Sequence, residues 1–354
     1  MKLLGSLQIF LLLGTILYSQ NPFRGDQCLV RTEFIYDSAS VCFPSCHAST
    51  IAETPEGLVA AWFGGTAEGN PDVAIWISRF SEGKWSIPEM VAYDKNDSLR
   101  YPCWNPVLYN VNNELLLFYK VGPSPSEWWG ELKISTDNGI SWSPSRKLPD
   151  GIIGPVKNKP VLLNGGVLLC PSSTEDNGWR VHMELTSDYG ITWEKTDTLN
   201  GRDIYAIQPA ILKHSSGKLQ ILCRSRHSRI FSSWSDDKGL TWSNLIPDTL
   251  PNPNSGIDAL TLADGRHLLV YNHLTEGRNQ LNAAISADGR TWYAAFLLES
   301  DKPGTEYSYP AVIQSGDGLI HITYTWNRRL IRHVVVDPVK IEPKKMMGSA
   351  WPAE

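Results

Sequence analysis

Six polar residues stand at equivalent places along this chain. Asn105, Lys159, Gln208 and Tyr309 each precede a proline at the head of a short apolar segment, and His47 and Asp258 precede alanine in matching segments. Together they supply amides, an ammonium, a phenol, an imidazole and a carboxylate, a set able to surround one polyhydroxylated ring with donors and acceptors. His47 is the member that ordinarily titrates near neutrality, which makes it a candidate base. Arg224, in Cys223-Arg224-Ser225-Arg226, and Arg278, in Glu276-Gly-Arg278-Asn, offer forked donors that grip a carboxylate or neighbouring hydroxyls. Trp104, Trp128 and Trp129 flank one of the six segments with indole faces suited to stacking on a sugar. These groups are spread from residue 47 to residue 309, so a fold has to gather them.

The elements that would do so are written as repeats. Ser135-Thr-Asp137-Asn-Gly139-Ile-Ser-Trp142, Thr186-Ser-Asp188-Tyr-Gly190-Ile-Thr-Trp193 and Ser235-Asp-Asp237-Lys-Gly239-Leu-Thr-Trp242 are one motif written three times. A shortened copy runs from Ser286 to Trp292, and a degraded one from Ser78 to Trp85. From Trp142 to Trp292 the tryptophans recur at intervals of 51, 49 and 50 residues. Each copy predicts a hairpin turn: the Asp side chain accepts from turn N–H groups, Gly takes a positive φ, and Trp packs back between neighbouring units. Apolar runs opening at Gly57, Glu114, Gly166, Gly217, Gly265 and Gly318 keep the same phase and bring the count to six. Six units of about 56 residues, each enough for a four-stranded blade, predict an all-β, six-bladed β-propeller. Proline at the first residue of an innermost strand costs no ladder hydrogen bond. Cys28 to Tyr36 is expected to pair beside Leu330 to Val336, closing the ring and removing both exposed edges.

Composition narrows the partners. Of the 354 residues 19% are charged and the formal net charge is −5, so no basic face is available for a phosphate backbone or for anionic lipid. Fourteen Trp and 13 Tyr beside 28 Gly and 23 Pro describe short strands, tight turns and sugar-stacking rings rather than helical bundles. Residues 1–20 read as a secretory signal, with an apolar run from Leu3 to Tyr18 followed by a polar turnover, leaving residues 21–354 as one exported domain, secreted or periplasmic, with no membrane contact after cleavage. The six cysteines include no CxxC pair; they read as buried thiols or ordinary disulfide partners, and neither metal nor cofactor is expected.

The repeated motifs are Asp-boxes, and the chain resembles the sialidase (neuraminidase) superfamily across essentially its whole mature length. The resemblance implies a six-bladed propeller with its site on the rim at the central axis. Family members carry an acidic residue before proline at an inner strand and an Arg sixteen residues later; here those slots hold Gln208 and Arg224. Arg278 matches a further family Arg, and Tyr307-Ser308-Tyr309-Pro310 matches the Tyr-Ser of the nucleophile, which implies Tyr307 as the catalytic residue. The family's Arg-Ile-Pro segment is replaced by Phe43-Pro44-Ser45-Cys46-His47-Ala48, so the carboxylate clamp lacks that Arg. The family's acid falls near Glu68 or Asp72, with Glu68 favoured because Asp72 suits a turn cap.

A carboxylate nucleophile would be repelled by the carboxylate on the anomeric carbon of sialic acid, hence a Tyr activated by a base. Gln208 cannot accept a proton, so Glu306, Asp258 and His47 are the alternative bases. The resulting expectation is an exported, exo-acting glycoside hydrolase of sialidase-like build that removes a terminal, acidic sugar from a glycan. Two alternatives stay open: a polysaccharide lyase acting on uronate-containing glycans, and a sugar-binding propeller without catalysis.

Overall fold

The computed structural model describes residues 27–95, 99–348 and 350–352; the expected leader lies outside the described residues. Six sheets form the ring, with inner strands opening at Ser45, Cys103, Val161, Ala206, Asp258 and Tyr307. Four sheets have four strands. The first blade adds a short strand, Glu89–Ala92, beside its third, and the fifth gains Lys344–Lys345 from the C-terminal tail. The last blade takes its outermost strand from the other end of the chain: Leu29–Phe34 pairs antiparallel with Leu330–Val336, with Glu33 opposite His333, so the ring closes as expected.

Because each blade is sandwiched between two others, its middle strands are buried on both faces and read as continuous apolar runs rather than alternating ones. Glu114–Val121 is buried at every position after the first, down to Lys120, whose Nζ reaches the Pro155 carbonyl at 2.7 Å. The repeated tryptophans fill the seams: Trp193 packs against Phe118 of the preceding blade, with ring centroids 6.2 Å apart.

The Asp turns explain their own spelling. Asp188 accepts from the Ile191 and Thr192 amides at 3.0 and 2.8 Å and from the Thr186 and Thr192 hydroxyls. Gly190 sits at φ 87°, a conformation that demands glycine, and a Cβ there would press on the Leu132 side chain of the preceding blade at 2.9 Å. Strand register puts Ser135 opposite Leu115 at one end of the second blade and Trp129 opposite Val121 at the other. The Asp turns therefore lie at the end of the propeller opposite the inner-strand starts.

One expectation about the inner strands is corrected. Pro106, Pro209 and Pro310 are not first residues but sit inside strands, at β-bulges where register slips between Trp104 and Val107, Ile207 and Ala210, and Ser308 and Ala311. Asn105, Gln208 and Tyr309 in these bulges hold φ values of 29°, 56° and 52°. The same bulge in the first blade places Ala48, at φ 56°, in the equivalent slot, so His47 lies one residue ahead of it. Bulges re-aim side chains, and left-handed backbone at non-glycine residues costs of order 1–3 kcal/mol each, a pattern that concentrates at functional sites.

Candidate active site

At the mouth where the inner strands begin, the Tyr309 ring is the hub. Its hydroxyl accepts from Arg224 Nη1 at 2.7 Å. The guanidinium carbons of Arg224 and Arg278 lie 5.7 and 6.0 Å from its ring centre, and the His47 imidazole packs against it at 4.1 Å. Arg224 ends the second strand of the fourth blade and also donates to Gln208 Oε1 at 3.2 Å. Asn254, from the loop joining the fourth and fifth blades, gathers both arginines: its carbonyl accepts from Arg224 Nη2 at 2.9 Å and Arg278 Nη2 at 3.3 Å. Two guanidiniums sharing one carbonyl oxygen lie within the span of a single monosaccharide. Glu306, just ahead of the last inner strand, accepts from Arg278 and from Arg328 Nε, each at 3.0 Å, and Arg328 Nη1 pairs with Glu68. Burial alone would raise Glu306, but Arg328, Ser308 and Arg278 together hold it below the usual carboxylate range.

This cationic setting governs His47. Burial first, then the charges of Arg328, Arg278, Arg224 and Lys157, keep the imidazole neutral far below its ordinary titration range. Its Nδ1 meets the Thr325 hydroxyl at 3.0 Å and its Nε2 has no partner. Of the alternative bases, Glu306 is committed to two arginines. Asp258 is committed to Lys159 Nζ at 2.8 Å and the Val312 amide at 2.8 Å. Lys159 and Asp258 thus form a strut tying the third blade to the fifth and sixth, rather than open contacts for a sugar. Lys157 lies deeper, donating to the carbonyls of Ile257 and Pro310; burial brings its ammonium down to about 7.

Other expected residues stand apart from the hub. Tyr307 does not share it: its hydroxyl donates to Asp301 Oδ2 at 3.2 Å, its ring joins the core beside Trp326, and burial with Glu299 and Asp301 raises the phenol to about 12. Asp72 caps its own loop by accepting from the Thr66 amide at 2.8 Å and the Thr66 hydroxyl. Trp104 is buried, donates to the Gly122 carbonyl at 2.8 Å and is wedged between Phe63 and Trp128, leaving no open face. Asn105 is buried in its bulge.

Sequence reasoning missed Asn254, Arg328, Glu175 and Trp179. Arg328 follows the second strand of its blade, as Arg224 ends the second strand of another, so comparing blades would have found it. Trp179 lies 5.2 Å from the Arg224 guanidinium carbon and lowers the Glu175 carboxyl from close by. Burial pushes the Glu175 carboxyl up, with Arg224 and Trp179 only partly opposing it. Neither Glu175 nor Trp179 lies in a repeated segment, so nothing in the spacing marks them. Among the described residues no cluster of three or more His, Cys, Asp or Glu side chains is placed to hold a metal, and no helix is long and apolar enough to cross a membrane. No disulfide links the six cysteines, of which all but Cys42 are buried.

The BNR repeat-like domain model matches residues 56–322, most of the chain. The chain belongs to that family. Its fold is similar to that of a protein of unknown function from Dyadobacter fermentans, at 17% identity and TM-score 0.72, covering 89% of this chain and 99% of that one. It is also similar to the NanB sialidase from Streptococcus pneumoniae, at 13% identity and TM-score 0.71, covering 88% and 71%. The Hadza microbial sialidase Hz136 gives 16% identity and TM-score 0.73, covering 88% and 69%. The fold is that of the sialidase propellers. Among curated proteins none matches the chain.

Proposed function

We propose that this member of the BNR repeat-like family is an exported, exo-acting glycoside hydrolase that removes a terminal anionic sugar from a glycan. The observation that carries the reading is the pair of guanidiniums, Arg224 and Arg278, converging on the Tyr309 ring at the axial mouth. Two guanidiniums so close together attract a carboxylate: Arg224, whose five N–H groups are taken by Asn254, Gln208 and Tyr309, acts through its charge, and the partly exposed Arg278 supplies direct donors, each charge-assisted bond being worth about 1.5–3 kcal/mol. Tyr309, in place of Tyr307, is assigned to the anomeric carbon: its oxygen forms the new C–O bond as the glycosidic C–O bond breaks. Arg224 and Arg278 favour the phenolate, and as its charge passes into the new C–O bond the phenol proton moves to His47 Nε2, the neighbouring nitrogen left without a partner, although the same cations disfavour the imidazolium. The leaving oxygen takes its proton from Glu175, whose burial keeps it protonated to higher pH than an ordinary carboxyl. Glu175, now a carboxylate, takes a proton from water as the water oxygen bonds the anomeric carbon and the tyrosyl–sugar bond breaks, and His47 returns its proton to the phenolate, restoring all three groups. Glu68 is assigned to holding Arg328 over the mouth rather than to proton transfer.

A second reading is favoured by one feature. With Gln208 in the slot of an acid and a neutral imidazole beside a phenol, the same groups suit β-elimination next to a uronate carboxylate neutralised by Arg224. A screen against sialosides and uronides separates the two: hydrolysis releases a saturated reducing sugar, whereas elimination releases an unsaturated product absorbing in the near ultraviolet. The absence of turnover on every anionic glycoside would leave only a sugar-binding propeller.

A further inference from the structure

The mouth accommodates one sugar, whereas a glycan carries more. A cleft of about 260 Å³ opens at the seam of the second and third blades. Trp128 and Trp129 form one wall, and Glu175 and Asp176 the other. Lys147, its Nζ 5.4 Å from the Trp129 ring centre, and Lys195 stand at the edge. Half-exposed indoles facing carboxylates and ammonium groups are the chemistry of a pyranose site, with apolar ring faces stacking and hydroxyls hydrogen-bonding.

Both walls run into the mouth. Trp128 meets Trp104 at 6.1 Å, Trp104 meets Phe63 at 6.2 Å, and Phe63 meets His47 at 5.7 Å. On the other side Glu175 stands near Trp179, whose ring lies 5.2 Å from the Arg224 guanidinium carbon, and both Trp179 and Arg224 act on its carboxyl. We propose that this cleft binds the second sugar of the glycan whose terminal anionic sugar rests on Arg224 and Arg278, with Glu175 at the junction where the glycosidic oxygen crosses. The inference rests on the functional reading above and adds to it a substrate class: anionic oligosaccharides rather than short glycosides.

The test is isothermal titration, in the Tyr309→Phe background so that the chains are not cleaved, of two probe pairs, N-acetylneuraminic acid with 3′-sialyllactose and galacturonic acid with its α-1,4 trisaccharide. For the pair that binds, the trisaccharide should bind at least ten-fold more tightly than its monosaccharide. Trp128→Ala should bring that ratio within two-fold while leaving the monosaccharide Kd unchanged, and Asp176→Ala, on the exposed opposite wall, should lower it as well. Monosaccharide binding without any chain advantage, or a ratio untouched by both substitutions, overturns the cleft and leaves the mouth standing. Failure of all four probes to bind overturns both.

Discussion

The two ends of the propeller use acidic side chains in opposite ways. At the Asp-turn end, Asp137, Asp188 and Asp237 are half-buried, and both oxygens of each carboxylate accept from amides and hydroxyls of the same turn. These bonds lower the carboxyls of Asp137 and Asp188 to about 2. At the mouth, Glu175 is raised by burial, Glu306 is shared between two arginines, and His47 keeps an unpartnered nitrogen. Locally satisfied polar groups build architecture; desolvated groups held by partners on other blades are available for chemistry.

If that contrast is right, the largest effect belongs to the hub. Tyr309→Phe should lower kcat at least ~10³-fold with unchanged melting temperature, while Tyr307→Phe should stay within about three-fold of wild type. Equal losses in the two variants, measured on the substrate found by the glycoside screen, would break the assignment. Next comes Arg278→Ala, which removes a charge-assisted partner of the substrate and should lower kcat/KM by about 10²-fold, in line with ~1.5–3 kcal/mol per bond. A neutral-sugar substrate losing as much as an acidic one would remove the carboxylate from the argument.

Glu175→Gln should abolish the alkaline limb of the kcat/KM profile. In wild type that limb lies above the ordinary carboxylate range because burial raises the group, and activity falls as pH rises through its titration. A limb that persists in E175Q but vanishes in E68Q would move the proton donor to Glu68. The smallest effect is expected at the other end. Asp188→Ala should cost about 1 kcal/mol of stability at pH 7, from lost turn hydrogen bonds, with kcat/KM unchanged. Because the folded carboxyl titrates near 2 against 3.8 unperturbed, the wild-type advantage is full above about pH 4 and fades as pH falls toward 2. Denaturant melts of the two proteins at pH 7 and pH 2 check both values.

Tyr307 and Tyr309 show how two phenols close in sequence part company: sequence reading pointed to Tyr307, whereas the arginines at the rim gather around Tyr309. In an unbroken strand residues two apart share a face, and the two tyrosines would be equivalent. The bulge at Tyr309-Pro310, with φ 52° at Tyr309, breaks that alternation and sends one hydroxyl to Arg224 and the other to Asp301. A one-residue slip likewise put His47 in a slot that Ala48 occupies.

What the sequence determined by itself was the local and the periodic. Asp188 and its partners lie within the seven residues from Thr186 to Thr192, so the turn is written in adjacent letters, and its recurrence about every 50 residues implies the blades and their number. Ring closure followed because Leu29–Phe34 had no hairpin partner of its own and the last blade, ending at Leu330–Val336, was one strand short. The mouth was decided by tertiary structure alone. Arg224 meets Tyr309 across 85 residues, Arg328 meets Glu68 across 260, and His47 meets Thr325 across 278. Contacts of that separation depend on bulges, loop paths and the angle between blades, and these arise from packing of the whole ring rather than from any short run of residues.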